Sequence, residues 1–145
     1  MKQDLLIFTL GTRERFAVKV ANTKEIITLG HLNQMPGASS WVHGVTRVRE
    51  KVIPVVDTYG VLFGKPREQT PVMAIVLDLE HPIALAVFDV SHVHKFDPQI
   101  QAHEAGKGNY VEMIIQDEHG LIQKLREANL FAGLSRAHHQ LQAAA

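Results

Sequence analysis

The residue pattern predicts a mainly β protein made of short paired strands, with few and short helices. Two observations carry this reading. Short apolar runs recur along the 145 residues, and polar connections bearing Gly, Asn or Asp separate them. Helix signals are fewer, confined to a short turn after Asn22, a single turn after Asp57 and an alanine-rich tail. Regular β spacing of this kind belongs to barrels and sandwiches, in which strands far apart in sequence pair with one another.

Taken in order, Asp4 to Leu10 and Arg15 to Val20 flank the polar connection GTRE and are expected to form a hairpin. In the second run Phe16, Val18 and Val20 alternate with Ala17 and Lys19, the period of a half-buried strand. Asn22 is a candidate cap for a short helical turn through Thr23 to Ile26. Val42 to Val48 and Lys51 to Asp57 form the next β pair. Thr58 to Phe63 is expected as a single helical turn, capped by Asp57 and closed by Gly64. Thr70 to Leu79 and Pro82 to Phe88 are joined by a tight turn at Glu80-His81, and Ser91 to Phe96 continues beyond Asp89. Tyr110 to Gln116 and Leu121 to Leu125 flank the turn DEHG. The alanine-rich tail from Leu134 is either a helix or a frayed end. The stretch Gly64 to Pro71, rich in Gly and Pro, is the best internal boundary. It divides one domain, residues 1–145, into two β-rich halves.

Composition narrows the function classes. A chain of this length buries roughly 68% of its extended surface, enough for a core without covalent staples. Fifteen basic and fifteen acidic residues leave a formal net charge of zero, so broad attraction to nucleic acid or an anionic membrane is not expected. The absence of cysteine removes disulfides, thiolate metal sites and Cys nucleophiles together. The opening MKQDLLIFTLG is too short and too weakly apolar for a signal-peptide core, and no stretch approaches the ~20 apolar residues of a membrane helix. A cytoplasmic location is the resulting expectation.

Catalytic constellations are not evident. No phosphate-binding loop, dinucleotide fingerprint, zinc-protease helix or nucleophile elbow is present, and Ser39, Ser40, Ser91 and Ser135 lack such contexts. The acidic turn Asp117-Glu118 reads as a solvated hairpin turn. His92 and His94 form H-x-H on a strand, which sets both rings on one face. A metal there needs a further ligand such as Asp89, Asp97 or His103; the simpler reading is a pair of surface histidines. His138-His139 sits on the tail, where adjacent rings rarely converge. No cofactor is expected. Arg47, Arg49 and Lys51 alternate, so a strand would set all three on one face with Glu50 opposite. That face suits acidic side chains of a protein partner, because Arg forms bidentate carboxylate pairs. A merely solvated face is the alternative.

Three segments in order carry a family resemblance. They are LLIFTLGTRERFAVKVANTKEII, then MPGASSWVHGVTRVREKVIPVVDTYGVLFG from Met35 to Gly64, then VMAIVLDLEHPIALAVFDVSHV from Val72 to Val93. Together they resemble the CheW-like family, the coupling proteins of bacterial chemotaxis, well over residues 4–96 and loosely beyond. In the middle segment Pro36, Gly44-Val45, Arg49, Pro54-Val55-Val56-Asp57 and Phe63-Gly64 match the family pattern. Arg47 replaces an Asn, Val48 a Leu and Glu50 a Gly, and Phe88 stands where an Asp is usual, so the chain resembles a divergent member.

The resemblance implies two SH3-like five-stranded β-barrels on a shared core, and an adaptor role without catalysis. It implies two partners: the regulatory domain of the CheA histidine kinase and the cytoplasmic helical tip of chemoreceptors. The family's contact Glu and Arg correspond to Glu25 and Arg49, which are positioned to pair. His43 and Gly44 correspond to a turn implicated in kinase contact. A receptor helix would lie in an apolar trough between the lobes, with Val20, Ile26, Val45 and Val87 as lining candidates or simply as core. The substituted loop suggests an altered partner set or another chemosensory pathway, such as one serving pilus-driven motility. A small histidine-metal barrel protein is the other alternative.

Overall fold

The computed structural model describes residues 2–38, 40–65, 71–97, 102–104 and 110–132. Among the described residues eleven strands form two sheets. The six-stranded sheet has the order β8-β1-β2-β11-β10-β9, and the five-stranded sheet has the order β3-β6-β7-β5-β4. In chain order the strands are β1 (Gln3–Thr9), β2 (Arg15–Lys19), β3 (Thr23–Thr28), β4 (Val42–Val48) and β5 (Lys51–Val56). They continue with β6 (Met73–Leu77), β7 (Ile83–Val87), β8 (Asp89–Phe96), β9 (Ala102–Glu104), β10 (Val111–Asp117) and β11 (Gly120–Leu125). The described residues also include two short α-helices, α1 (Thr58–Phe63) and α2 (Glu127–Ala132). Among the described residues no helix is long and apolar enough to cross a membrane.

The mainly β expectation holds, and so do the hairpins β1–β2, β4–β5 and β10–β11. One sheet has six strands rather than five, because the three-residue β9 adds to β10. The Gly64–Pro71 stretch does not separate the sheets: β3, β4 and β5 before it and β6 and β7 after it belong to one sheet. The chain instead changes sheet through the 3-10 turn Val20–Asn22 and again at Phe88, between β7 and β8. The connection from Leu77 to Ile83 is also longer than a two-residue turn, spanning residues 78–82.

Thr23 to Ile26 is the start of β3 rather than a helical turn. The helical element comes just before it, and Thr23 Oγ1 donates to the Lys19 carbonyl at 3.0 Å across that turn. Four of the six residues in TKEIIT are β-branched, which favours an extended backbone. Helix α1 forms as its caps predict. Asp57 Oδ1 accepts from the Gly60 N–H at 2.9 Å, and Gly64 closes the helix in the left-handed region. A Cβ on Gly60 would lie 2.7 Å from the Trp41 ring and closer still to Asp57, so the helix can seat only without one.

The central core lies between the two sheets. Leu6, Phe8, Phe16 and Val18 meet Ile75, Leu77, Leu85 and Val87 there. Each sheet then curls round a cluster of its own. The five-stranded sheet encloses Val48, Ile53, Val55, Ala74, Val76 and Ala84, and the six-stranded sheet encloses Leu5, Ile7, Ala17, Phe96, Ile115 and Ile122. Strands β1 and β2 are therefore buried on both faces, which is why Ala17 is as inaccessible as Phe16 and Val18. The five-stranded sheet is drawn towards closure by the chain leaving β3. Asn33 forms a two-bond bridge with Val45 on the outer edge of β4, at 3.1 and 2.9 Å.

Helix α2 has a tertiary anchor. Glu127 accepts from the Lys19 backbone N–H at 2.7 Å and from Lys124 Nζ at 2.7 Å. Lys124, almost fully buried, also donates to Glu112 at 2.6 Å. Leu130 enters the central core one turn later. The tail beyond residue 132, with His138 and His139, lies outside the described residues, as do Ser39 and Ser135.

Candidate partner-binding surface

The β4–β5 hairpin carries most of the residues in question. Its turn has two residues, Arg49 and Glu50, between the paired Val48 and Lys51. Two-residue hairpins match strand twist when the turn takes positive φ. Arg49 has φ of 58°, the one positive value at a non-glycine position among the described residues. Arg47, Arg49 and Lys51 consequently do not share one strand face. Arg47 pairs with Val52 and faces outward; Lys51 pairs with Val48, which points into the five-stranded sheet's own cluster; Arg49 and Glu50 form the turn. The alternation ends where the strand does.

Side chains hold this turn. Arg47 Nε donates to the Arg49 carbonyl at 3.1 Å. Arg49 Nη2 donates to Glu25 Oε2 at 3.3 Å, tying the hairpin tip to β3, the strand at the other end of the sheet order. Arg49 is 71% exposed and Glu25 27%. An ion pair this wet contributes ~0.2–1 kcal/mol, so an incoming carboxylate can exchange into it at small cost. Beside it, the outer face of the hairpin presents Val52, Pro54 and Val45, of which Val52 is 66% exposed. Pro54 is in place because pairing with β7 begins only at Val55, one residue after the missing N–H. Val52 and Pro54 were legible in sequence only as strand residues; the signal for their exposure was the alternation Val52, Pro54 against buried Ile53 and Val55.

His43 and Gly44 lie inside β4 rather than at a turn. The register shifts between Val42 and Gly44, so His43 is the extra residue of a bulge. Gly44 is buried: a Cβ there would sit 2.7 Å from the Asn33 carbonyl oxygen, and its φ of 152° suits glycine. The His43 ring turns inward, with Nε2 3.7 Å from Asp57 Oδ1 and the side chain 11% exposed. Burial lowers its pKa, with the Asp57 charge opposing that effect, so the ring is neutral at pH 7. His43 and Gly44 thus support the hairpin from beneath.

The four trough candidates separate. Val87 is fully buried in the central core. Val20 is partly buried at its margin, and Ile26, 46% exposed, pairs across strands with core residue Ile75. Val45 stands on the hairpin's outer face instead. Exposed Ile26 and part-buried Val20 both lie at the margin of the central core, and Val45, Val52 and Pro54 with Arg47 mark the outer face of the hairpin.

Asp117 is occupied structurally. Arg15 donates to both its oxygens, at 2.9 and 2.6 Å, and the His119 N–H donates at 2.8 Å. Those bonds hold its carboxyl far below the usual carboxylate range. Among the described residues no three His, Asp or Glu side chains converge as a metal site.

Residues 4–133 match the family model described as CheW-like domain. The chain is 27% identical over 141 residues to Protein PilI of Pseudomonas aeruginosa strain PAO1, covering 92% of this chain and 74% of that protein. The fold is similar to that in the crystal structure of the scaffolding protein TtCheW from Thermoanaerobacter tengcongensis. The TM-score is 0.76 at 19% identity, covering 87% of this chain and 90% of the other.

Proposed function

The chain belongs to the CheW-like domain family, and on that premise we propose that it is a non-catalytic scaffold coupling chemoreceptor cytoplasmic tips to a CheA-type histidine kinase. It works in the cytoplasm against a membrane receptor array. The pathway we assign is the pilus-linked alternative, supported by the similarity to Protein PilI.

The observation that carries this reading is the exposed Arg49–Glu25 pair beside an apolar strand face. A hairpin face of this kind suits docking by another β-module, with Val52, Val45 and Pro54 as apolar contact and Arg47 and Arg49 as donors to carboxylates. The core margin at Ile26 and Val20 suits one face of a receptor helix. Two separate surfaces are what a bridging protein requires.

The test is assembly from purified parts. The full chain, a CheA-type regulatory domain and a receptor cytoplasmic fragment are mixed and analysed by sedimentation. A ternary species that requires this chain supports the reading. Failure of the chain to bind either component overturns it.

A further inference from the structure

The turn of the β4–β5 hairpin adopts a conformation that its own residues disfavour. Arg49 takes φ of 58°, although a Cβ makes the left-handed region costly. Two-residue hairpin turns usually meet that demand with Gly, Asn or Asp. This turn contains none of them. It is Arg49-Glu50, with Glu50 standing where the family pattern has glycine. The unfavourable backbone conformation therefore falls on a long charged side chain, and support has to come from outside the two turn residues.

Two side-chain bonds supply it, and they act in series. Arg47 Nε donates to the Arg49 carbonyl at 3.1 Å, which fixes the backbone of the turn. Arg49 Nη2 donates to Glu25 Oε2 at 3.3 Å, which fixes the direction of the guanidinium. The second bond depends on the first. Rotation of Arg49 to negative φ would swing its Cα–Cβ bond and carry the guanidinium away from Glu25 on β3. Arg47 is set for this task by the strand. It pairs with Val52, one rung before the last pair, and reaches the carbonyl two residues ahead. That bond engages Nε, so the Nη groups of Arg47 remain donors for an incoming carboxylate.

We propose that Arg47 is a positioning residue: through the Arg49 carbonyl it holds the turn in its left-handed conformation and keeps the Arg49 guanidinium in place at the tip of the docking face. The docking half of this statement rests on the reading of the hairpin given above. The geometry also couples two departures from the family pattern. Glycine takes positive φ freely, and with Glu50 in its place the donor at position 47 supports the turn instead.

The test separates the Nε donor from the rest of the side chain. Gln carries its amide Nε2 on Cδ, as Arg carries Nε, so Arg47→Gln keeps the donor and Arg47→Ala removes it. Arg47 is exposed, so both variants keep the fold, checked by melting curves. In the free full chain, a strong intraresidue amide–Hα Overhauser effect at Arg49 reports positive φ. It is expected in the wild type and in Arg47→Gln, and weakened in Arg47→Ala. In calorimetric titration with a CheA-type regulatory domain, Arg47→Ala is expected to bind about fivefold more weakly than Arg47→Gln, and that gap is expected to close when each is combined with Arg49→Ala. An Arg49 signal in Arg47→Ala as strong as in the wild type overturns the proposal, and so does a gap that persists beside Arg49→Ala. A signal that weakens as stated in a chain whose wild type binds no regulatory domain supports the positioning role and overturns the docking reading alone.

Discussion

The Arg49 guanidinium donates to the Glu25 carboxylate at 3.3 Å, joining the tip of the β4–β5 hairpin to β3 at the far end of the same sheet. Arg49 sits largely in solvent and Glu25 is partly exposed. The pair therefore adds little to stability while fixing a cation beside an apolar strand face. Arg49→Ala is expected to change unfolding free energy by less than ~1 kcal/mol. Its affinity for a kinase regulatory domain is expected to fall about tenfold or more, the loss of roughly 1.4 kcal/mol or more. Urea titration and calorimetric binding on the same preparation check both halves. A large stability loss would make Arg49 a structural clasp instead.

Gly44→Ala tests the support beneath the hairpin. The added Cβ meets the Asn33 carbonyl oxygen at 2.7 Å and imposes a backbone conformation that glycine tolerates best. Displacing Asn33 breaks the two-bond bridge to Val45. A loss of about 2 kcal/mol or more in urea is expected. A variant as stable as the parent would show that the 29–33 segment yields freely.

Removal of one partner from the buried charge cluster is expected to be more severe. Glu127→Ala leaves Lys124 with Glu112 alone and strips the Lys19 N–H of its acceptor. Breaking a buried pair costs ~3–5 kcal/mol because a desolvated charge is left behind. Chemical denaturation reads this directly, and hydrogen exchange at the Lys19 amide is expected to speed up.

Acid stability depends on Asp117. Its folded pKa lies below its unfolded value, first because Arg15 donates to both oxygens. The folded state therefore gains stability above the unfolded pKa, about 3.9, and loses it as pH falls from there towards the folded value. Asp117→Asn is expected to flatten the acid limb of the stability curve between pH 4 and the acid transition. Its cost at neutral pH is about 1 kcal/mol, since the pair is partly solvated. An unchanged acid limb would remove Asp117 from the account.

Much of this architecture was legible in the residues, and the exceptions share a physical origin. Hairpins β4–β5 and β10–β11 and helix α1 could be read because their determinants are local: β-branched runs, the Asp57 cap and Gly64. Strand β3 could not, because its alternation is set by pairing with β6, about a third of the chain away, and it exposes Lys24, Ile26 and Thr28. Helix α2 is too short to show a period, and Glu127 gains its meaning from Lys19 on β2 and Lys124 on β11. At the candidate surface, the Glu25–Arg49 correspondence came from the family pattern and the ion pair bears out their proximity. The common face for Arg47, Arg49 and Lys51 failed because a two-residue turn interrupts the strand period at Arg49. The exposed apolar triad of Val45, Val52 and Pro54 depends on which side of β5 the rest of the fold leaves open.

The most direct test of the scaffold assignment is a calorimetric titration of a CheA-type regulatory domain with the wild-type chain and with Val52→Asp. Val52 is exposed, so the substitution leaves the fold intact while placing a carboxylate on the apolar face of the hairpin. The expected result is saturable one-to-one binding by the wild type and a loss of about tenfold or more with Val52→Asp. Equal affinity for both chains would contradict the assignment of the β4–β5 face, and no binding by the wild type would contradict the scaffold role itself.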